Sequence, residues 1–123
     1  MTRPRAIVDG VPAVSESSVL RACLDVCHAH PAVAWAARMN VGGRNFGSDA
    51  NPRWVKFGFV GMSDIVGQLV GGRLLAIECK GHRGRATNAQ LEFLRRVNTN
   101  GGVGVLVHSP DDLLAALEMR GGA

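Results

Sequence analysis

The sequence holds no apolar stretch approaching the roughly 20 residues that a membrane-spanning helix needs. Its opening Met1-Thr2-Arg3-Pro4-Arg5 leads into no apolar signal-peptide core. Both absences predict a cytoplasmic location. Cysteine is scarce: three residues at unpatterned spacing supply no disulfide framework and fit free thiols in a reducing compartment. No internal repeat occurs, and 123 residues are enough for one core and too few for two. Acidic groups are also in short supply, 10 against 14 lysines and arginines, for a net charge of +4. The basic excess lies mid-chain, from Arg38 and Arg44 through Arg53, Lys56, Arg73, Lys80, Arg83 and Arg85 to Arg95 and Arg96, whereas Asp111, Asp112 and Glu118 leave the C-terminal part acidic. That distribution makes nucleic acid the first partner to consider.

Residues 1–14 contain Pro4 and Pro12 without periodicity and read as a flexible N-terminal arm ahead of one domain over 15–120. Val19, Leu20, Cys23, Leu24 and Cys27 recur on one helical face until His30-Pro31, which predicts a helix from Ser15 to about Ala29. Val33 to Met39 alternates large and small apolar groups and suits a strand. Asn40 to Pro52, rich in Gly, Asn and Asp, reads as a loop, and Trp54 to Phe57 as a second short strand. Asp64 to Val70 and Arg73 to Lys80 are further β-like runs, and Gly71-Gly72 between them has the positive-φ freedom of a two-residue hairpin turn. Thr87 suits a helix N-cap with Gln90 at the capping-box position, and Leu91, Leu94 and Val97 supply that helix's apolar face. Gly101-Gly102 stops it, Val103 to Val107 reads as a buried strand, and Ser109-Pro110-Asp111-Asp112 caps a last helix to about Met119. The order predicts an α/β domain with a mixed central β-sheet flanked by helices.

The chemistry concentrates in Ile77-Glu78-Cys79-Lys80. On a strand Glu78 and Lys80 point the same way and Cys79 the opposite way, and the hairpin carries Asp64 towards the same end of the sheet. Carboxylates brought together repel unless one takes a proton or a cation sits between them. Oxygen ligands suit Mg²⁺, with Mn²⁺ as its substitute, and the Cys79 backbone carbonyl is a further candidate oxygen. By themselves these three residues are better explained by a solvated Glu78–Lys80 pair on an edge strand with Asp64 as a turn residue; their placement at one end of a hairpin beside an arginine-rich loop favours a site.

The span from about Ser15 to Leu117 resembles the PD-(D/E)xK nucleases, and within them the virus-type replication-repair nuclease (VRR-NUC) domains. Gly61-Met62-Ser63-Asp64-Ile65, Ala76-Ile77-Glu78-Cys79-Lys80, Thr87-Asn88-Ala89-Gln90-Leu91 and Gly101-Gly102-Val103 are similar to that family's successive motifs in order and spacing. Ser63 stands where many members have proline, and Cys79 replaces a common β-branched residue. The resemblance implies a restriction-endonuclease-like core, Asp64 and Glu78 as metal ligands, Lys80 as catalytic lysine and Gln90 as a helix-borne active-site residue. It also implies hydrolysis of DNA phosphodiesters, often in branched or flap DNA.

Glu16 shares a helix face with Leu20, Cys23 and Cys27, so the expectation is that it faces inward, either to reach the metal or to complement the helix dipole. Arg38, Arg44, His82, Arg83 and Arg85 are candidate phosphate contacts. Phe46 and Trp54 have two fates open to them, stacking on unpaired bases or packing in the core. Cys23 and Cys27 read as small core hydrophobes rather than zinc ligands. A symmetric homodimer facing one DNA molecule, through Trp35, Phe46 and Trp54, is the expected assembly.

Overall fold

The computed structural model describes residues 7–8, 11–12, 14–39 and 42–120. Its elements run β1 (Ile7–Val8), β2 (Val11–Pro12), α1 (Glu16–Ala29), β3 (Val33–Arg38), β4 (Gly42–Asn45), β5 (Trp54–Phe57), β6 (Ile65–Leu69), β7 (Leu74–Cys79), α2 (Asn88–Thr99), β8 (Val103–Val107) and α3 (Pro110–Arg120). The predicted α/β class with a mixed sheet and flanking helices is what forms. Four strands lie in the order β3-β6-β7-β8, with β6 antiparallel to β3 and β7, and β8 parallel to β7. A parallel neighbour needs a crossover, which here is α2.

Strand alternation divides the interior into two layers. Leu75, Ile77 and Cys79 face α1 and α3, where they pack with Cys23, Cys27, Leu113 and Leu117. On the opposite face Ala76 packs under Leu94 and Val97 of α2, with Phe93 and Leu106 beside them. All three cysteines are free and buried, and Cys23 and Cys27 serve as core hydrophobes as expected. Helix starts follow their caps. The Ser15 hydroxyl accepts from the Ser18 N–H at 3.1 Å, and α3 opens on Pro110 with the Ser109 hydroxyl accepting from Asp112 N–H at 3.2 Å. No helix among the described residues is long and apolar enough to cross a membrane.

Three expectations change. The Asn40–Pro52 loop contains β4, whose antiparallel pairing with β5 makes a ribbon separate from the main sheet. The β6–β7 connection takes Val70 as well as the glycine pair: Leu69 N–H donates to Arg73 O at 2.8 Å and Gly72 N–H to Leu69 O at 2.9 Å. Gly71 and Gly72 nonetheless both adopt positive φ, 100° and 109°. Leu91 is 47% exposed instead of packed. Of the predicted 1–14 arm, most lies outside the described residues; within it Ile7–Val8 pairs antiparallel with Val11–Pro12.

Candidate metal centre

The C-terminal end of β7 carries the site. Glu78, the last but one residue of β7, is 1% exposed and belongs to the same face as Ala76, under α2. Asp64 immediately precedes β6, and its Oδ2 accepts the Cys79 N–H at 2.9 Å. Two neighbouring contacts fix that approach. Asp64 O accepts the Met39 N–H at 2.7 Å, and the buried Ser63 hydroxyl donates to Ile65 O at 2.9 Å. Gly61, at φ 89°, leads into this turn so close to α2 that a Cβ there would lie 2.4 Å from Ala89 O. The Asp64 turn is thereby seated against the helix start that holds Gln90.

Glu16, the first residue of α1, completes the cluster. Glu16, Asp64 and Glu78 each offer a carboxylate oxygen, all within 4.8 Å of one another. The Glu16 side chain is 53% exposed, so it lies at the rim of the site rather than inward as its helix-face spacing predicted. What brings it there is the segment before α1: Val14 O accepts the His82 N–H at 3.1 Å. Gly81 leaves no room for a Cβ, which would come within 2.9 Å of both Glu16 N and Val14 O.

Lys80 sits between the carboxylates, its Nζ 3.3 Å from Glu16 Oε1 and 3.4 Å from Glu78 Oε1. Partial burial works against its charge, but Glu16 and then Glu78 outweigh that and raise its pKa. Gln90 makes the predicted capping-box contact and a second contact to Glu78. Its Oε1 accepts the Thr87 N–H at 2.8 Å, which fixes the amide orientation because a backbone N–H needs an acceptor, and its Nε2 donates to Glu78 Oε1 at 3.0 Å. One capping-box residue thus also aims a donor at the buried carboxylate.

Glu78 Oε2 is left buried with no hydrogen-bond partner. Burial foremost, then the negative charge of Asp64 and hydrogen bonding to it, push the Glu78 pKa up to about 7 against the pull of Lys80. An orphaned buried carboxylate oxygen costs on the order of 1–3 kcal/mol or more. Three carboxylates against one ammonium, with that oxygen unspent, fit a hard divalent cation held by oxygen ligands. The Cys79 thiol is not a competing nucleophile: its hydrogen bond with Cys23 and its burial raise its pKa, so it stays protonated.

The remaining sequence candidates are all exposed. Arg38 is exposed at the end of β3, opposite Ile65, and Arg44 is exposed on β4, opposite Val55. His82, Arg83 and Arg85 follow Lys80 in a tight turn, where Arg83 takes a φ of 61° and Gly84 N–H closes on Gly81 O at 3.0 Å. Arg83 and Arg85 line an open cavity of about 550 Å³ with Leu91, Leu106 and His108. His108 holds this turn, its Nε2 2.9 Å from Gly84 O. Sequence reading missed His108, whose contribution depends on β8 ending beside β7, and missed the Cys79 N–H, the contact by which Cys79 reaches the cluster. No protein-family model matches this chain, and no curated protein or solved structure matches it significantly.

Proposed function

We propose that this chain is a Mg²⁺-dependent nuclease with a PD-(D/E)xK core of the VRR-NUC type, hydrolysing phosphodiester bonds in branched or flap DNA, with Mn²⁺ able to replace Mg²⁺. The observation that carries the reading is the buried Glu78, which leaves Oε2 unpartnered, has a carboxylate oxygen within 4.8 Å of one from Asp64 and one from Glu16, and pairs with Lys80 through Oε1. Asp64, Glu78 and the Cys79 carbonyl would hold the ion, with Glu16 at the rim. When bound, it would polarise a phosphate oxygen and lower the pKa of water.

The chain's own residues do the rest. Lys80, paired to Glu16 and Glu78 but still 15% exposed, presents a positive charge where a phosphate would gain negative charge, or orients the attacking water. Gln90 holds Glu78 in place through Oε1 and leaves Glu78 Oε2 directed elsewhere. Arg38, His82, Arg83 and Arg85 contact flanking phosphates, which adds salt-dependent affinity without reading bases.

The deciding assay is divalent-metal-dependent cleavage of duplex, flap, splayed and four-way DNA alongside a structured RNA. Cutting of branched DNA supports the proposal. Binding without cutting would make the chain a DNA-binding protein that retains a nuclease-like fold, and preference for RNA would move the substrate class. Lys80→Ala should lose about a hundredfold or more in single-turnover cleavage with little change in DNA affinity, because its interaction strengthens in the transition state. Arg83→Ala and Arg85→Ala should do the reverse, each weakening binding and lowering the salt slope by about 1. Equal loss of binding and turnover in Lys80→Ala would reduce it to another phosphate contact.

A homodimer would place two such centres on one DNA molecule. Of the expected interface residues, Trp35 lies on the main sheet, 50% exposed, with Leu74 of the same sheet, at 43%, as a further apolar group such a contact would cover. Light scattering should give twice the 13.0 kDa chain mass; a monomer with and without branched DNA would remove the dimer.

A further inference from the structure

We propose that the β4–β5 ribbon is a strand-binding wing on which Trp54 stacks against an unpaired nucleobase while Arg44 and Arg53 hold the adjoining phosphates. Among the described residues β4 and β5 pair only with each other, Asn45 opposite Trp54 and Arg44 opposite Val55. So short a two-stranded ribbon is marginal by itself, yet it displays Trp54 at 69% exposure and Phe46 at 52%. A tryptophan left so open forgoes most of the stabilisation its burial offers, which marks it for contact with a partner. The Arg44 guanidinium lies over the Phe46 ring, 5.1 Å from its centroid, so cation and aromatic face are presented together.

The ribbon's end is built to hold these groups still. Asn45 Oδ1 accepts from both Gly47 N–H and Arg53 N–H at 2.9 Å, Phe46 N–H donates to Arg53 O at 2.9 Å, and Ser48 and Asn51 exchange backbone bonds at 3.2 Å. A backbone organised in advance lowers the ordering cost of binding. Charge selects the partner: within 42–57, Arg44, Arg53 and Lys56 stand against Asp49 alone, which suits a polyanion. Position does the same. The ribbon is inserted between Met39 and Asp64, which are themselves joined by a 2.7 Å hydrogen bond, so it is rooted at the carboxylate end of the sheet. A strand running away from the scissile phosphate meets it there. Every base has a stacking face, so such a wing tolerates any sequence but demands unpaired bases.

This inference rests on the nucleic-acid part of the proposed function and not on hydrolysis. The test is tryptophan emission of the whole protein in chelator, titrated with an unstructured oligothymidylate and, in parallel, an oligouridylate. The chain has two tryptophans, and Trp35 on the main sheet is the internal control. The emission of wild type and of Trp35→Phe should be quenched by either oligonucleotide, that of Trp54→Phe by neither. Trp54→Ala should bind the single strand about tenfold or more weakly, with a smaller loss for blunt duplex; an unchanged unfolding midpoint excludes misfolding. Quenching that persists in Trp54→Phe, or unaltered single-strand affinity in Trp54→Ala, would overturn the proposal. So would emission that follows protein concentration and ignores the oligonucleotide, which would make the ribbon a contact between copies. If cleavage fails but quenching holds, only the nuclease reading falls; if cleavage holds without quenching, only the wing does.

Discussion

Glu78→Gln and Asp64→Asn should each reduce metal-dependent cleavage by about a thousandfold or more, while DNA binding is unchanged or tighter. The size follows from what an ion in this cluster contributes, several kcal/mol of transition-state charge stabilisation, at about 1.4 kcal/mol per tenfold in rate. Both substitutions remove a charge and little shape. The amide oxygen introduced by Glu78→Gln would still accept from Gln90, and that introduced by Asp64→Asn would still accept the Cys79 N–H that Asp64 Oδ2 takes at 2.9 Å. Neither side chain is a proposed phosphate contact, and losing a negative charge near a polyanion relieves repulsion. Single-turnover cleavage beside a binding titration, over a range of Mg²⁺ concentrations, reads both quantities. Wild-type cutting by either variant would sink the metal assignment.

The sequence revealed this constellation because its logic is periodic and local. Alternation along β7 places Glu78 and Lys80 together and sends Cys79 into the opposite layer, and the Gly71-Gly72 turn carries Asp64 back to the same end. The Thr87 and Gln90 pair is a capping signal with a fixed spacing. What stayed hidden depended on tertiary context. β4 lies in a segment rich in Gly and Asn, and it is held by its ladder to β5 rather than by an alternating apolar pattern. Leu91 shows how spacing alone misleads: steps of three residues at about 100° each fall some 60° short of a turn, so Leu91 lies about 120° around α2 from Val97. The packed face then centres on Phe93, Leu94 and Val97. Glu16 shared its helix face with Cys23 and Cys27, but at the first residue of α1 that face has passed the edge of the core. His108 and the Val14 to His82 bond join segments far apart in sequence, and no spacing rule reaches that far.

The metal-free protein should lose stability as pH rises from about 4.5 to about 7, and a divalent ion should restore it. Glu78 carries the effect. Its pKa in the fold is pushed up to about 7 from an ordinary value of 4.5, so the native state holds this proton more tightly than the unfolded chain. Its contribution is therefore complete below about pH 4.5 and lost as pH rises through about 7, on the order of 3 kcal/mol in all. Above that window Glu78 is ionised among Asp64 and Glu16 with Oε2 unpartnered. An ion that binds only the native state then adds about 2.7 kcal/mol at a hundred times its Kd, and less at low pH, where the proton competes for the same oxygen. Urea unfolding near pH 5 and pH 8, in chelator and in Mg²⁺, gives the four stabilities to compare. Glu78→Gln isolates the residue from every other titrating group: in chelator it should be more stable than wild type at the higher pH, flatter across the window, and nearly indifferent to added Mg²⁺. A wild type whose pH profile matches that of Glu78→Gln, or a variant that gains as much from Mg²⁺ as wild type, would show that Glu78 is neither strained by its surroundings nor part of a cation site.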